Sequence, residues 1–280
     1  MNNERRFSAT PVLLLAGLLV PAAGCRPEVE GVDDGPKQSA TERAVALEEA
    51  ASLVETASAS ISLAVQTPDE VLPTSEHGAA FARPDRVYLE SYGPLGEVLS
   101  VTRVAEGRLA VYFPADQVWL EGAATPENTA KILGAPVEIG ELARALLAEP
   151  LVPAVDWPGT IRYLGDLGDG LTRLAYRRAD GIKALLVTIE PGLDAPREQR
   201  RFDADGAADL VIGYDEYTEI EGVPRPGRVV FDDLAGSRLE AVFLEQSLNP
   251  ELPADIFELS APPDAHFVDL DAYQPSPAEN

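Results

Sequence analysis

An antiparallel α+β fold built on one strongly curved sheet is what the sequence predicts, from three observations. Apolar and polar residues alternate with period two in about eleven segments from Ser60 onward. Turn-forming clusters rich in Gly, Asp and Pro separate those segments at hairpin spacing. Helical periodicity is confined to the start and the middle of the chain. A curved sheet with one apolar face needs a cover on its concave side, and the helical segments are available to provide it.

The first helix is expected over residues 41–57, capped by Ser39 or Thr41, with Glu42 in the first turn where the helix dipole favours an anion. Leu47, Ala51 and Val54 form one stripe, read as core contact. Residues 62–65 begin the strands. Residues 86–92 and 98–104 alternate more clearly, joined by the turn Gly93-Pro94-Leu95-Gly96. Leu109, Val111 and Phe113 point one way on the next strand, and 118–120 is short. Two helical pieces follow, 126–133 and 138–148, separated by Gly134 and Pro136. In the second, Ile139, Leu142, Ala143, Leu146 and Leu147 share a face. After Trp157-Pro158, strands are expected at 161–164, 171–177, 183–189, 199–202, 209–217, 227–231 and 239–244. Gly168-Asp169-Gly170, Asp180-Gly181 and Asp205-Gly206 turn the chain between them.

Ahead of this body lies an apolar leader. Arg5 and Arg6 form a positive n-region, residues 11–20 an apolar stretch, and Pro21-Ala22-Ala23-Gly24 a small-residue cleavage site. The stretch is too short to span a bilayer. Small residues running into Cys25, the only cysteine, resemble a bacterial lipobox, in which the Cys is acylated and becomes the mature N-terminus. Ala22 stands where that motif prefers Leu. An ordinary secretory leader followed by an incidental Cys is the alternative. The expected organisation is a signal peptide over 1–24, a lipidated Cys and flexible tether over 25–40, a single domain over 41–268 and an extended tail over 269–280.

Losing Arg5, Arg6 and Glu4 with the leader moves the net charge from −25 to −26. Such a surface repels phosphate backbones and argues against nucleic-acid binding. His77 and His266 stand far apart in sequence, outside any metal-ligand spacing, so no metal and no cofactor is expected. Asp203-Ala204-Asp205-Gly206 resembles a calcium loop only faintly, since Arg201 and Ile212 occupy the positions that need acids; a hairpin turn explains it. With no phosphate loop and no nucleophile elbow visible, an enzyme is not expected.

Residues 81–147 carry a more specific order of features: the strand Val87-Tyr88-Leu89-Glu90-Ser91-Tyr92, the Gly-Pro-Leu-Gly turn, an alternating strand, Tyr112-Phe113, then a helix pair ending in Glu141-Leu142-Ala143-Arg144-Ala145-Leu146-Leu147. Further on stand Tyr214-Asp215-Glu216-Tyr217, Gly222-Val223-Pro224-Arg225-Pro226 and Leu248-Asn249-Pro250. In this order they resemble the LolA/LolB lipoprotein-carrier superfamily, and within it LolB, the receptor that is itself a lipoprotein, over about residues 42–260. The resemblance implies an incomplete β-barrel with a helical lid over an apolar cavity. A triacylated cargo carries about forty methylenes, each costing roughly 0.8 kcal/mol to expose, so carriage through water needs such shielding.

The resemblance further implies an outer-membrane, lipid-anchored, periplasm-facing protein, Arg26 not being the Asp that retains a lipoprotein in the inner membrane. Its partners would be acylated lipoproteins or acyl chains and a soluble LolA-like carrier, with the protein itself a monomer. Leu95, flanked by Pro94 and Gly96, matches the protruding Leu that enters the membrane during delivery; folding back onto the lid is the alternative. By face alone, Leu89, Leu99, Val101, Val111, Phe113, Trp119, Leu142 and Leu146 are candidates to line the cavity, each of them equally readable as core. Other functions open to the same fold are a lipid or lipopeptide sensor and a non-catalytic envelope scaffold.

Overall fold

The computed structural model describes residues 38–133, 138–155, 157–164, 171–253 and 255–273. The leader, Cys25 and most of the tether lie outside the described residues. The elements run α1 (Ala40–Ser52), β1 (Thr56–Gln66), β2 (Ser75–Ala82), β3 (Arg86–Tyr92), β4 (Val98–Ala105), β5 (Arg108–Phe113), β6 (Val118–Ala123), α2 (Pro126–Leu133), α3 (Ile139–Leu146) and β7 (Thr160–Tyr163). They continue through β8 (Arg173–Arg177), β9 (Lys183–Ile189), β10 (Pro196–Phe202), β11 (Ala208–Asp215), β12 (Thr218–Ile220), β13 (Val223–Arg225), β14 (Arg228–Asp232), β15 (Arg238–Leu248) and β16 (His266–Asp269).

Fourteen strands form one open sheet in the order β16-β6-β5-β4-β3-β2-β1-β15-β14-β11-β10-β9-β8-β7, and β12-β13 is a separate small hairpin. Every pairing in the large sheet is antiparallel except β16 against β6. β16 and β7 stand at opposite ends of the order, so the barrel is not closed. The architecture is the expected antiparallel curved sheet with helices, but with more strands than about eleven. β2 (SEHGAAFA) was hidden because Ala and Gly are poor strand formers and its alternation is weak. β16 was hidden because its partner lies more than a hundred residues earlier in sequence, beyond local pattern.

α1 begins with a reciprocal capping box: the Glu42 amide donates to Ser39 Oγ at 3.2 Å and the Ser39 amide to Glu42 Oε2 at 2.8 Å. It ends at Ser52 rather than Ala57, because the following residues pair into the sheet through β1. Its last carbonyls are taken from outside: Arg83 Nε donates to Val54 O at 2.7 Å and its Nη2 to Ala51 O at 2.8 Å. α3 ends the same way, with the buried Arg225 donating to Leu146 O at 2.8 Å and to Leu147 O. Arginines from the end of β2 and from β13 therefore add side-chain donors to helix ends already closed by backbone caps.

The sheet has two differently covered faces. Cross-strand register places Ile61, Phe81, Val87, Val104, Leu109, Val111 and Leu120 on the concave face. There they join Leu47 and Val54 and, from α3, Leu142 and Leu146 in one apolar cluster. The outer face of the first half is covered by the chain beyond β15. Asn249 Oδ1 accepts from the Glu55 amide at 2.8 Å, and Leu252, Ile256 and Phe257 pack on Ala80, Ala82 and Tyr88. Arg86 stacks over the Phe257 ring at 5.2 Å, Arg103 Nε donates to Ile256 O at 3.1 Å, and β16 then adds to the β6 edge. The packing continues past Val268: Leu270 is fully buried, and Asp271 Oδ1 accepts from the Ala123 amide at 3.0 Å and Asn128 Nδ2 at 2.6 Å.

Candidate functional site

Leu89, Val111, Phe113, Leu142 and Leu146 meet on the concave face or on the helix that covers it. Val111, Leu142 and Leu146 are buried. Leu89 and Phe113 are half-buried, as are Val65, Val118 and Phe243 on the same face. Several half-buried apolar side chains on the concave face leave an apolar surface that the described helices do not fully close. A cleft of about 410 Å³ runs between α3 and the turns at the end of the sheet away from Leu95, lined by Val104, Ala124, Ile139 and Leu151 but also by Asp85, Glu138, Glu141 and Arg144. Gly140 opens it: a Cβ there would have no neighbour within 4 Å but a Glu138 carboxylate oxygen at 3.9 Å.

Val101 and Trp119 do not share that face. Val101 stands opposite Glu90 and Tyr112, and Trp119 opposite Tyr112, all on the outer side. Trp119 is nonetheless buried, its Nε1 donating to Glu121 Oε2 at 3.0 Å and its ring 6.4 Å from that of Tyr112. Leu99 sits at a bulge, where Ser91 pairs with Ser100 but Tyr92 with Val98, and it is 45% exposed. A bulge adds one residue and reverses the side-chain parity that a count from the sequence relies on.

Leu95 is 94% exposed at the tip of the β3–β4 hairpin. The turn is built to present it. The Gly96 amide donates to Gly93 O at 2.9 Å, Gly96 takes a φ of +81°, and Glu97 folds its carboxylate back to accept from the Leu95 amide at 3.0 Å. A Cβ on Gly93 would stand 2.3 Å from that carboxylate, so the glycine makes room for it. The alternative, a Leu95 folded onto the helices, does not occur.

Two polar features of the concave side were not foreseen. His77 is 8% exposed between Ile61 and Ser91, with Nε2 2.7 Å from Ser75 Oγ. Burial pushes its pKa down to about 4, so the ring is neutral at pH 7. In the second half of the sheet, Gln199 accepts from the Leu151 amide at 2.9 Å and donates to Glu149 O at 2.6 Å and to Tyr214 Oη at 2.7 Å. Arg225 joins this group. Burial draws its guanidinium down to about 10, against the opposing pull of Tyr217 and Glu149, so it remains a cation at neutral pH. Burial pushes the phenols of Tyr214 and Tyr217 upward. The Glu149 carboxylate faces Arg83 as an ion pair. The loop after α3 is thus tied to the sheet by the buried Gln199 and Arg225 and to α1 through the half-buried Arg83, an arrangement that fixes geometry more than it adds stability. The Tyr-Asp-Glu-Tyr and Val-Pro-Arg-Pro stretches were visible in the sequence, but nothing local indicated that Arg225 points inward.

No protein-family model and no curated protein matches the sequence. Solved structures do match in fold. A DUF1329 family protein from Desulfovibrio piger aligns with a TM-score of 0.57 at 13% identity, covering 79% of this chain and 97% of its own. A domain from Vibrio parahaemolyticus described as an outer membrane lipoprotein-sorting protein aligns at 0.56 and 12% identity, covering 78% and 97%. A LolA superfamily protein from Nitrosomonas europaea aligns at 0.52 and 14% identity, covering 77% and 97%. Nearly the whole of each neighbour is matched by an open antiparallel sheet whose concave side is covered by helices. This chain has the fold of the LolA superfamily.

Proposed function

We propose that this protein is an outer-membrane-anchored, periplasm-facing lipoprotein that holds the acyl chains of other lipoproteins against its concave face and releases them into the membrane. The observation that carries it is the half-buried apolar surface of Leu89, Phe113, Val118, Val65 and Phe243 on a sheet of this fold. Apolar side chains left part-exposed inside a concavity gain from an apolar occupant, at about 25 cal/mol per Å² removed from water. The fold neighbour described as a lipoprotein-sorting protein supports the same occupant. Transfer needs no bond chemistry: cargo moves from a soluble carrier to this protein and on to the bilayer by differences in affinity. Cys25, acylated, would hold the domain at the membrane, and Leu95 would be its delivery tip.

Native mass spectrometry of the chain beginning after Cys25, purified with a co-expressed acylated lipoprotein, tests the carrier role. A stoichiometric complex that disappears when the cargo lacks its acyl chains is expected; empty protein under conditions that load a known carrier would overturn it. Leu95→Glu should keep folding and cargo binding while stalling release into vesicles. Cys25→Ser should move the protein from the membrane to the soluble fraction. A lipid sensor or scaffold is the second reading, favoured by the close packing of α3 onto the sheet, and it would bind lipid without passing cargo on.

A further inference from the structure

Of the hairpins that turn at one end of the sheet, three adjacent ones carry exposed aliphatic tips, while the next, at 114–117, does not. In strand order, β4-β3, β2-β1 and β15-β14 follow one another, so the turns at 93–97, 67–74 and 233–237 are neighbours along a single edge. Pro68 lies 3.2 Å from where a Cβ on Gly236 would stand, which places the second and third turns in contact. Each turn lifts one aliphatic side chain into solvent: Leu95 at 94% exposure, Val71 at 74% and Leu234 at 53%. Strands are about 4.8 Å apart, so successive tips are separated by about 10 Å and the row is about 20 Å long.

Folding does not account for these residues. Neither Val71 nor Leu234 belongs to an apolar cluster, and neither does Leu95. Leu234 holds a φ of +57°, a conformation that Gly or Asn adopts at lower cost. Turns at the same end of the other half show the ordinary solution: Asp180-Gly181 and Asp203-Ala204-Asp205-Gly206, with Asp203 Oδ1 accepting from the amides of Asp205 and Ala207 at 2.9 Å.

We infer that this edge is a bilayer-contacting surface, with Val71, Leu95 and Leu234 immersed together. It rests on the delivery role proposed for Leu95 and widens the contact from one point to a row. Lipid is the occupant that fits. The aliphatic groups stand singly on stems that carry Glu70, Glu97 and Asp233, whereas a protein partner needs a contiguous interface of about 800 Å² a side. A fluid bilayer closes around separate side chains. Acidic stems also define the membrane: a zwitterionic surface admits them, and an anionic one repels them. A row constrains the sheet edge to lie along the bilayer plane, which one tip cannot do. Phe113 and Val118 lie at this same end of the sheet, so part of the half-buried apolar surface stands beside the proposed lipid contact.

The test uses the chain from residue 25 onward, because the apolar leader would partition into vesicles by itself. Cys25→Ser leaves it without cysteine. Val71→Cys, Leu95→Cys, Leu234→Cys and, as control, Asp205→Cys are then each labelled with an environment-sensitive fluorophore and titrated with phosphatidylcholine vesicles. The expected result is a blue shift at all three tips and none at 205, weaker when phosphatidylglycerol replaces phosphatidylcholine at low salt. Val71→Ser, Leu234→Ser and Leu95→Ser should each lower vesicle partitioning about tenfold. A shift at 95 alone would overturn the row, and so would shifts that appear without vesicles as protein concentration rises, which would mean that a second copy covers the edge. Acyl-chain binding measured in parallel separates the two proposals: silent labels with binding intact sink the edge alone, and responding labels with binding absent sink the carrier role alone.

Discussion

The half of the sheet formed by β1 to β6 and the half formed by β7 to β11 with β14 share one apolar concave core but differ in how completely each face is covered. In the first, the concave face is apolar and part-open, while the outer face is covered by the chain after β15, with Phe257 and Ile256 seated on Ala80, Ala82 and Tyr88. In the second, the concave face is apolar as well but closed, with Leu174, Leu185, Val187, Ile212 and Phe231 buried around Gln199 and Tyr214, which Arg225 joins from β13, while part of the outer face is open. A groove of about 660 Å³ lies there, lined by Glu198, Arg228, Asp232 and Arg238 around Val211, Gly213 and Val230. Arg228 Nε meets Glu240 at 2.8 Å in that region, and water-facing ion pairs of this kind add little to stability. The difference is one of closure: part-exposed apolar side chains gather in the first half, while Gln199 and Arg225 tie the loop after α3 to the second.

The largest effect should come from breaking that tie. Arg225→Met strands the carbonyls of Leu146 and Leu147 and leaves Glu149 with one fewer cation, a loss of about 3–5 kcal/mol. Urea unfolding measures it; a loss below about 1 kcal/mol would show that the second half does not anchor α3 through this residue. Next, Phe257→Ala should cost about 3 kcal/mol, the low end for a buried Phe, because its cluster is small. Tryptophan emission reads whether the outer cover has lifted as a unit: a red shift is expected if Trp119 loses its shielding, and an unchanged spectrum would show that β16 holds independently.

The smallest effect is a pH dependence confined to the first half. His77 titrates near 4 when folded and near 6.5 when free, so the unfolded chain takes up the proton first as the pH drops. Stability from this residue is complete above about pH 6.5 and is lost progressively as the pH falls towards 4, amounting to about 2 kcal/mol between pH 7 and 5. His77→Asn should flatten the urea midpoint over that interval relative to the parent; parallel curves would mean that the ring is hydrated and titrates normally.

Leu95 shows how far the sequence reached. A Gly-Pro-Leu-Gly run between two alternating segments specifies a hairpin, and a turn residue with no periodic partner has nowhere to bury. Its neighbours on the same edge, Val71 and Leu234, were illegible as such, because what unites them is adjacency across strands whose order only pairing establishes. Val101 and Trp119 failed for a related reason: alternation says that two residues share a face but not which face is inside, and a single bulge at Leu99 exchanges the answer. Arg225 lies within a stretch that reads as a polar turn, yet the folded chain surrounds it with carbonyl oxygens from α3, 78 residues away in sequence.

Amino-acid order alone determined the class of fold, the helical segments, the hairpin turns and the apolar leader with its lone cysteine, because each follows from local conformational preference or from the periodicity of burial. Tertiary structure decided which face is concave, that the chain after Leu248 returns to cover the outside, and that three aliphatic tips line one edge. Those outcomes depend on strand order, register and long-range hydrogen bonds, which join residues that no local window contains.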